Sequence, residues 1–300
     1  MTPTPDTRVQ PRAATPFDPF TLYQPTADAV PLVADSPHSG LKYPADFGYA
    51  LPFDELRAGE DTDVDVLWQA LPTVGATLLA AEFPRSYIDP NRDTADLDAA
   101  LLDAPWPQEL QPSEKTRLGI GLIWRDAGHD GRQPIYARRL SVAEVQARIT
   151  QYHAPYQRTL LQQIEQAYQQ HGAVWHLNLH SMPANSYEGL QIQTDKPLAD
   201  VVLGNHDGRT CSEEFIQLVA EAMRSRGLSV AFNDPFKGVA LIARIGRPAE
   251  RRHSLQIELH RGLYMNEATR ERSANFGALQ QALAGVAAEL AAYVRQQTRG

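Results

Sequence analysis

Cysteine is almost absent: Cys211 is the only one in 300 residues. No internal disulfide can form, which fits a reducing compartment. A thiolate nucleophile would have to be this residue. Its setting, Thr210-Cys211-Ser212-Glu213, reads more readily as a packed or helix-capping position. Long apolar runs are missing as well, and none approaches the ~20 residues needed to cross a bilayer. The stretch from Met1 to Pro19 is polar and Pro-rich and lacks the apolar core of a signal peptide, so the expected location is the cytoplasm. Positive charge is in deficit, with 28 Lys and Arg against 36 Asp and Glu and a net charge of -8. Neither nucleic acid nor an anionic membrane is therefore expected as the main partner. There is also no compact zinc motif of the His-Glu-x-x-His kind.

What the chain does have is enough apolar material, 43% of its residues, to bury a large core. We expect a mobile N-terminal segment over residues 1–27 and one catalytic α/β domain over 28–300, with a pocket-shaping insertion around 96–132. The stretch from Trp175 to Met182 sets the frame. Trp175, Leu177 and Leu179 alternate with His176, Asn178 and His180, the period of two expected of a strand with one apolar and one polar face. On a helix, His176 and His180 could share one metal ion. On a strand they stand roughly 13 Å apart, so at most one belongs to a given centre. His180 is the better candidate, because it ends the apolar run and lies at the strand's carboxyl end, where open α/β sheets bind their ligands.

Further strands are predicted at Ala29–Ala34, Ala76–Ala81, Asp200–Gly204, Leu228–Phe232, Val239–Ile245 and Leu255–Leu259. The first ends in Asp35-Ser36-Pro37-His38-Ser39-Gly40, where His38 is expected to be exposed on a stiff loop. Glu60, Asp61, Asp63 and Asp65 resemble an acidic helix start, although four acids in six residues exceed what capping requires. Arg85 and Arg92 lie in a charged loop after the next strand and present planar forks suited to a carboxylate or an oxyanion. Ser141 with Glu144 forms a capping box opening a long helix with an irregularity near Pro155, which Gly172 ends. Helices are also predicted at Cys211–Arg226 and Glu267–Val294. Strands alternating with helices indicate a mostly parallel mixed central sheet flanked by helices.

Two histidines from different strand ends and a nearby carboxylate make a three-ligand zinc site that leaves a fourth position for water. Such an ion lowers the pKa of that water to roughly 7. Glu258, in the middle of a strand, could take the proton and pass it to a leaving amine. Arg85 could stabilise a tetrahedral oxyanion, and Arg92 with Asn91 could hold a substrate carboxylate. Together these parts describe hydrolysis of the amide of an acylated amino acid, a small acidic molecule.

Several segments, taken in order, resemble the N-formylglutamate amidohydrolase family. They are Pro37-His38-Ser39-Gly40, the Asp61 segment, Pro84 to Arg92, His180-Ser181-Met182, Gly204-Asn205-His206-Asp207-Gly208 with Cys211, and Gln256-Ile257-Glu258-Leu259 with Leu263-Tyr264-Met265. The resemblance covers roughly residues 28 to 290. It implies a fold similar to zinc carboxypeptidases, a phosphorylase/hydrolase-like α/β architecture. It also implies hydrolysis of N-formyl-L-glutamate to formate and L-glutamate, the last step of one histidine-degradation route. By this resemblance His38 and His180 fall on the zinc histidines and Glu258 on the catalytic glutamate. Arg85 falls on the oxyanion arginine, and Asn91 with Arg92 on the pair that binds the substrate carboxylate. One zinc ion is implied, with another divalent metal as the alternative. The wider group takes its acidic ligand from His-x-x-Glu, whereas His38-Ser39-Gly40-Leu41 has no acid there. The role is assigned to Asp61, ahead of Asp63.

Two other readings stand beside the deformylase. A related zinc amidase for another N-acyl amino acid would share the ligand set and differ in the size of its acyl pocket. A non-catalytic binding protein of the same fold would have no reason to keep His38, Asp61, His180 and Glu258 together.

Overall fold

The computed structural model describes residues 10–13, 17–128 and 133–298. Within the first 27 residues, expected to be mobile, 1–9 and 14–16 thus lie outside the described residues, while Gln10–Ala13 and Phe20–Tyr23 are strands. The chain forms two compact units. One comprises residues 1–21, 37–62 and 81–159, the other 22–36, 63–80 and 160–300.

The second unit carries the body of a seven-stranded sheet, the α/β class that the alternation of strands and helices predicts. Its strands are β1 (Phe20–Tyr23), β2 (Leu32–Ser36), β3 (Thr77–Ala81), β4 (Val174–Met182), β5 (Val201–Gly204), β6 (Val230–Phe232) and β7 (Arg252–His260). They lie in the order β6-β5-β7-β4-β2-β3-β1. The pairs β6/β5, β7/β4, β4/β2 and β2/β3 are parallel and β7/β5 is antiparallel, so the sheet is mixed and mostly parallel. All nine residues of β4 are buried, as befits a central strand. Its apolar face, Trp175, Leu177 and Leu179, joins Leu32, Ala34, Leu255, Ile257 and Leu259 in the core, capped by Leu279, Leu283, Val286 and Leu290 of the last helix. The opposite face carries Asp35, His176, Asn178, His180, Ser254, Gln256 and Glu258, all buried.

Helices α1 (Val142–Arg148) and α2 (Ala154–His171) are separated by one π-helical turn, Ile149–His153. This is the irregularity expected near Pro155, displaced just before it, because the ring removes an amide donor and crowds the preceding turn. Ser141 Oγ accepts the Glu144 amide at 3.1 Å, and Gly172 ends α2 with φ +67°. Helix α3 (Glu213–Arg224) starts on Ser212, whose hydroxyl accepts the Phe215 amide.

Three expectations change. Val239–Ile245 is not a strand: Ala240–Ile245 is helix α4. Its buried residues Leu241, Ile242 and Ile245 are spaced for one helical face, which the short apolar run conceals. The last helix, α5 (Phe276–Gln297), begins nine residues later than predicted, since Met265 and Arg272 form a bridge and Arg270 takes positive φ. The acids at 60–65 open a helix only in part: Asp65 lies in the first turn of the short helix Val64–Leu67, whereas Glu60 and Asp61 lie ahead of it. Asp63 precedes this helix in a left-handed conformation with no side-chain capping bond.

In the first unit the side chain of Arg148 is fully buried and ties loops together. It donates to the Tyr87 carbonyl at 2.9 Å, the Tyr136 hydroxyl at 2.7 Å and Glu144 at 2.7 Å, and lies over the Tyr87 ring at 4.1 Å. Stacking and these acceptors, with the Phe47 carbonyl at 3.3 Å as a fourth, offset the cost of burying the guanidinium.

Candidate active site

In the first unit the site grows from the turn after β2. Gly40 passes so close to the Phe83 carbonyl that a Cβ there would lie 2.2 Å from it, so the turn admits no side chain at this point. His38 is therefore pressed inward. It is 1% exposed, not exposed on a loop as expected, because both ring nitrogens find carboxylates: Nδ1 lies 3.3 Å from Asp61 Oδ2 and Nε2 lies 2.8 Å from Asp89 Oδ1. The Asp61 amide donates to the His38 carbonyl at 3.0 Å, which joins the two segments through the backbone as well.

Asp89 organises the loop from Arg85 to Arg92. It accepts from His38, from the Asn91 amide at 2.8 Å and from Arg85 Nη2 at 3.0 Å, with Arg92 Nη2 at 3.8 Å. Burial would raise its pKa, but His38, Arg92 and Arg85 outweigh that and hold the carboxyl well below the usual range. The loop is not a solvated connection, since Asp89, Asn91 and Arg92 are all buried. Its charges are neutralised internally. Residues 120–124, within the segment where an insertion is expected, hold this loop: Leu122 O accepts the Asp89 amide, Ile120 O accepts Arg92 Nε, and Trp124 lies under the Arg85 guanidinium at 4.8 Å.

In the second unit His180 and Glu258 occupy neighbouring strands at the same level, a register pair of β4 and β7. His180 Nε2 lies 2.7 Å from Asn178 Oδ1, and Glu258 Oε1 accepts Gln256 Nε2 at 2.8 Å. His176 turns to Asp35 Oδ1 (2.9 Å) and Ser254 Oγ (2.8 Å). Asp35 is wholly buried, which alone would raise its pKa, yet the hydrogen bond and charge of His176 and the amide of Asn178 hold it below the ordinary value. Asp63 is gripped by Arg272, with Nε at 2.8 Å and Nη2 at 2.9 Å. Cys211 is buried against Asn205, and burial pushes its thiol up to about 12, which leaves it neutral and inert.

His38, Asp61 and His180 are all buried, and each offers a ligand atom within 4.8 Å of those of the other two. Two imidazoles and a carboxylate suit zinc and leave further positions open. The donor set fits. The ring nitrogen of each histidine that faces Asp89 or Asn178 is already engaged, which directs the other nitrogen to a ligand. Asp89, Asn178 and Asp35 were missed by the sequence reading. For Asp89 a signal existed, an acid three and four residues from two arginines, whereas no local pattern marks Asp35.

A model of the N-formylglutamate amidohydrolase family matches residues 30–265. The chain belongs to this family. It is 27% identical over 243 residues to an N-formylglutamate deformylase of Pseudomonas aeruginosa, an alignment covering 79% of this chain and 83% of the relative. To the N-formylglutamate deformylase of Pseudomonas putida it is 26% identical over 245 residues, covering 79% and 83%. Among solved structures, that of the N-formylglutamate amidohydrolase from Ralstonia eutropha JMP134 is 58% identical. It aligns with TM-score 0.91 over 94% of this chain and 100% of that one. A gene product of Agrobacterium tumefaciens, 18% identical with TM-score 0.65 over 95% and 97% of the two chains, has the same fold. Every site residue named from the sequence lies inside the stretch matched by the amidohydrolase family model. No helix among the described residues is long and apolar enough to cross a membrane.

Proposed function

We propose that this chain is a metal-dependent amidohydrolase that converts N-formyl-L-glutamate and water to formate and L-glutamate, the last step of a histidine-degradation route. The observation that carries the reading is membership of the amidohydrolase family, with relatives named for this substrate. The buried donor set of His38, Asp61 and His180 supports the metal part, with zinc the first choice from its two nitrogens and one oxygen. Asp61 is preferred to Asp63, whose carboxylate Arg272 already occupies.

An ion held by these three residues would polarise the amide carbonyl and acidify water. Glu258 accepts the proton given up by the attacking water and returns it to the nitrogen of the leaving glutamate. Arg85, its charge braced by Asp89 and its plane stacked on Trp124, stabilises negative charge on the former carbonyl oxygen. Asn91 and Arg92 hold the substrate carboxylate, and the 96–132 segment shapes the pocket by fixing them.

The test is a panel of N-formyl, N-acetyl and N-succinyl amino acids with release of free amine as readout, alongside elemental analysis. About one divalent ion per chain is expected, with N-formylglutamate cleaved best. Loss of activity to a chelator and its return with zinc complete the pattern. Preference for a longer acyl group would make it a related amidase, and no binding of divalent ions after supplementation would sink the metal mechanism.

A further inference from the structure

The proposed chemistry leaves unused a row of polar side chains buried behind His180. Ser254 on β7 stands beside His176 on β4, and Asn178 on β4 stands beside Asp35 on β2, so the four lie on one face of three adjacent strands. All four are 0% exposed. Four buried polar residues in a central sheet carry a large desolvation cost unless each finds a partner, and here they form an unbroken chain. Ser254 Oγ lies 2.8 Å from His176 Nδ1, and His176 Nε2 lies 2.9 Å from Asp35 Oδ1. Asn178 Nδ2 donates to the same oxygen at 2.8 Å, and Asn178 Oδ1 lies 2.7 Å from His180 Nε2.

The direction of this chain is forced. An aspartate oxygen contacted by two nitrogen groups accepts from both, so Asn178 must turn its amide nitrogen toward Asp35. Its carbonyl oxygen then faces His180, and a carbonyl only accepts. His180 Nε2 must therefore carry a proton, which in the neutral ring leaves the lone pair on Nδ1. A flipped Asn178 would set oxygen against oxygen at Asp35, and it is this contact that forbids the flip.

We propose that Asp35, acting through Asn178, is a positioning residue that holds His180 in the tautomer whose Nδ1 is the ligating nitrogen, with His176 and Ser254 keeping Asp35 in place. This rests on reading His180 as a metal ligand. The arrangement differs from that at His38, where a carboxylate touches the ring directly. At His180 the carboxylate acts through an amide, which relays its polarity and keeps its charge one residue back from the ring.

The experiment compares wild type, Asp35→Asn, the exchanged pair Asp35→Asn/Asn178→Asp, and His180→Ala. Zinc dissociation constants come from chelator competition, and the His180 tautomer from 15N NMR of metal-free protein. In Asp35→Asn two facing amides can flip together, so both tautomers should appear and zinc affinity should fall about 10- to 100-fold. The exchanged pair again presents only an acceptor to His180, and both readouts should return toward wild type, which a purely packing role would not produce. The inference is overturned if Asp35→Asn keeps wild-type zinc affinity while His180→Ala loses it, or if wild-type His180 carries its proton on Nδ1. Should His180→Ala bind zinc as wild type does, the ligand reading itself fails and takes this inference with it. If Asp35→Asn does not fold, the tautomer in the wild-type protein decides.

Discussion

Asp89 Oδ1 lies 2.8 Å from His38 Nε2, so a single buried carboxylate determines which nitrogen of that ring is left for another partner. The same carboxylate neutralises Arg85 at 3.0 Å. One side chain thus couples the proposed metal centre to the proposed oxyanion site.

Replacing Asp89 should therefore damage two functions together. Asp89→Asn is expected to weaken zinc binding about 10- to 100-fold through loss of orientation of His38 and to lower turnover through a misaligned Arg85. Asp89→Ala should also destabilise the fold by about 3–5 kcal/mol, the scale for removing one partner of a buried pair. Urea denaturation and chelator titration check both, and a variant with normal zinc affinity would show that Asp89 serves only the arginines.

Glu258→Gln preserves shape and can still meet Gln256, whose amide lies 2.8 Å away. Only the capacity to take a proton is lost. Turnover should drop by about 10²-fold or more with the metal content unchanged. An unchanged rate would remove Glu258 from the mechanism.

The aim of Arg92 is set by the backbone, since Nε donates to Ile120 O at 3.2 Å and Nη1 to Asn91 O at 3.0 Å. Arg92→Ala should raise KM for the acidic substrate by an amount corresponding to about 2–5 kcal/mol for a buried charge pair. Arg92→Lys should rescue only part, because an ammonium lacks the planar fork. Initial-rate kinetics with unaltered KM would rule out substrate binding by this residue.

His253 offers a pH test of stability remote from the chemistry. It stacks on Trp175 at 5.3 Å and its Nδ1 accepts the Ser212 amide, so the ring stays neutral. Burial, helped by Arg251, lowers its pKa from the ordinary 6.5 to about 4. The unfolded chain then takes up a proton near pH 6.5 that the native state refuses until about pH 4. Stability from this residue is complete above the higher value and declines as pH falls between the two, by about 3 kcal/mol in all. The variant His253→Gln should show a shallower decline than wild type when denaturation of the metal-free proteins is followed from pH 7 to pH 4. Parallel curves would refute it.

Periodicity made the central strands legible. Alternation in Trp175 to His180 and in Leu255 to Leu259 records burial on two faces, and a strand's pattern repeats too quickly for neighbours to blur it. The capping box at Ser141 and the stop at Gly172 were equally local. By contrast, Val239–Ile245 was too short for its helical spacing to be told from a strand, and the acids at 60–65 looked like capping until their separate partners were seen. Glu60 meets Tyr43 and Arg57, Asp61 faces His38, and Asp63 meets Arg272, 209 residues away.

The residue types for the proposed chemistry were readable one loop at a time, as were the strand ends that carry His180 and His38. Which atoms each of them faces was not. That His38 is buried between Asp61 and Asp89, and that Asp35 reaches His180 through Asn178, itself 143 positions from Asp35 in sequence, follow from how the chain brings its distant segments together. Side-chain identity and local spacing are properties of the chain, whereas hydrogen-bond partners are chosen only when segments far apart in number are laid side by side.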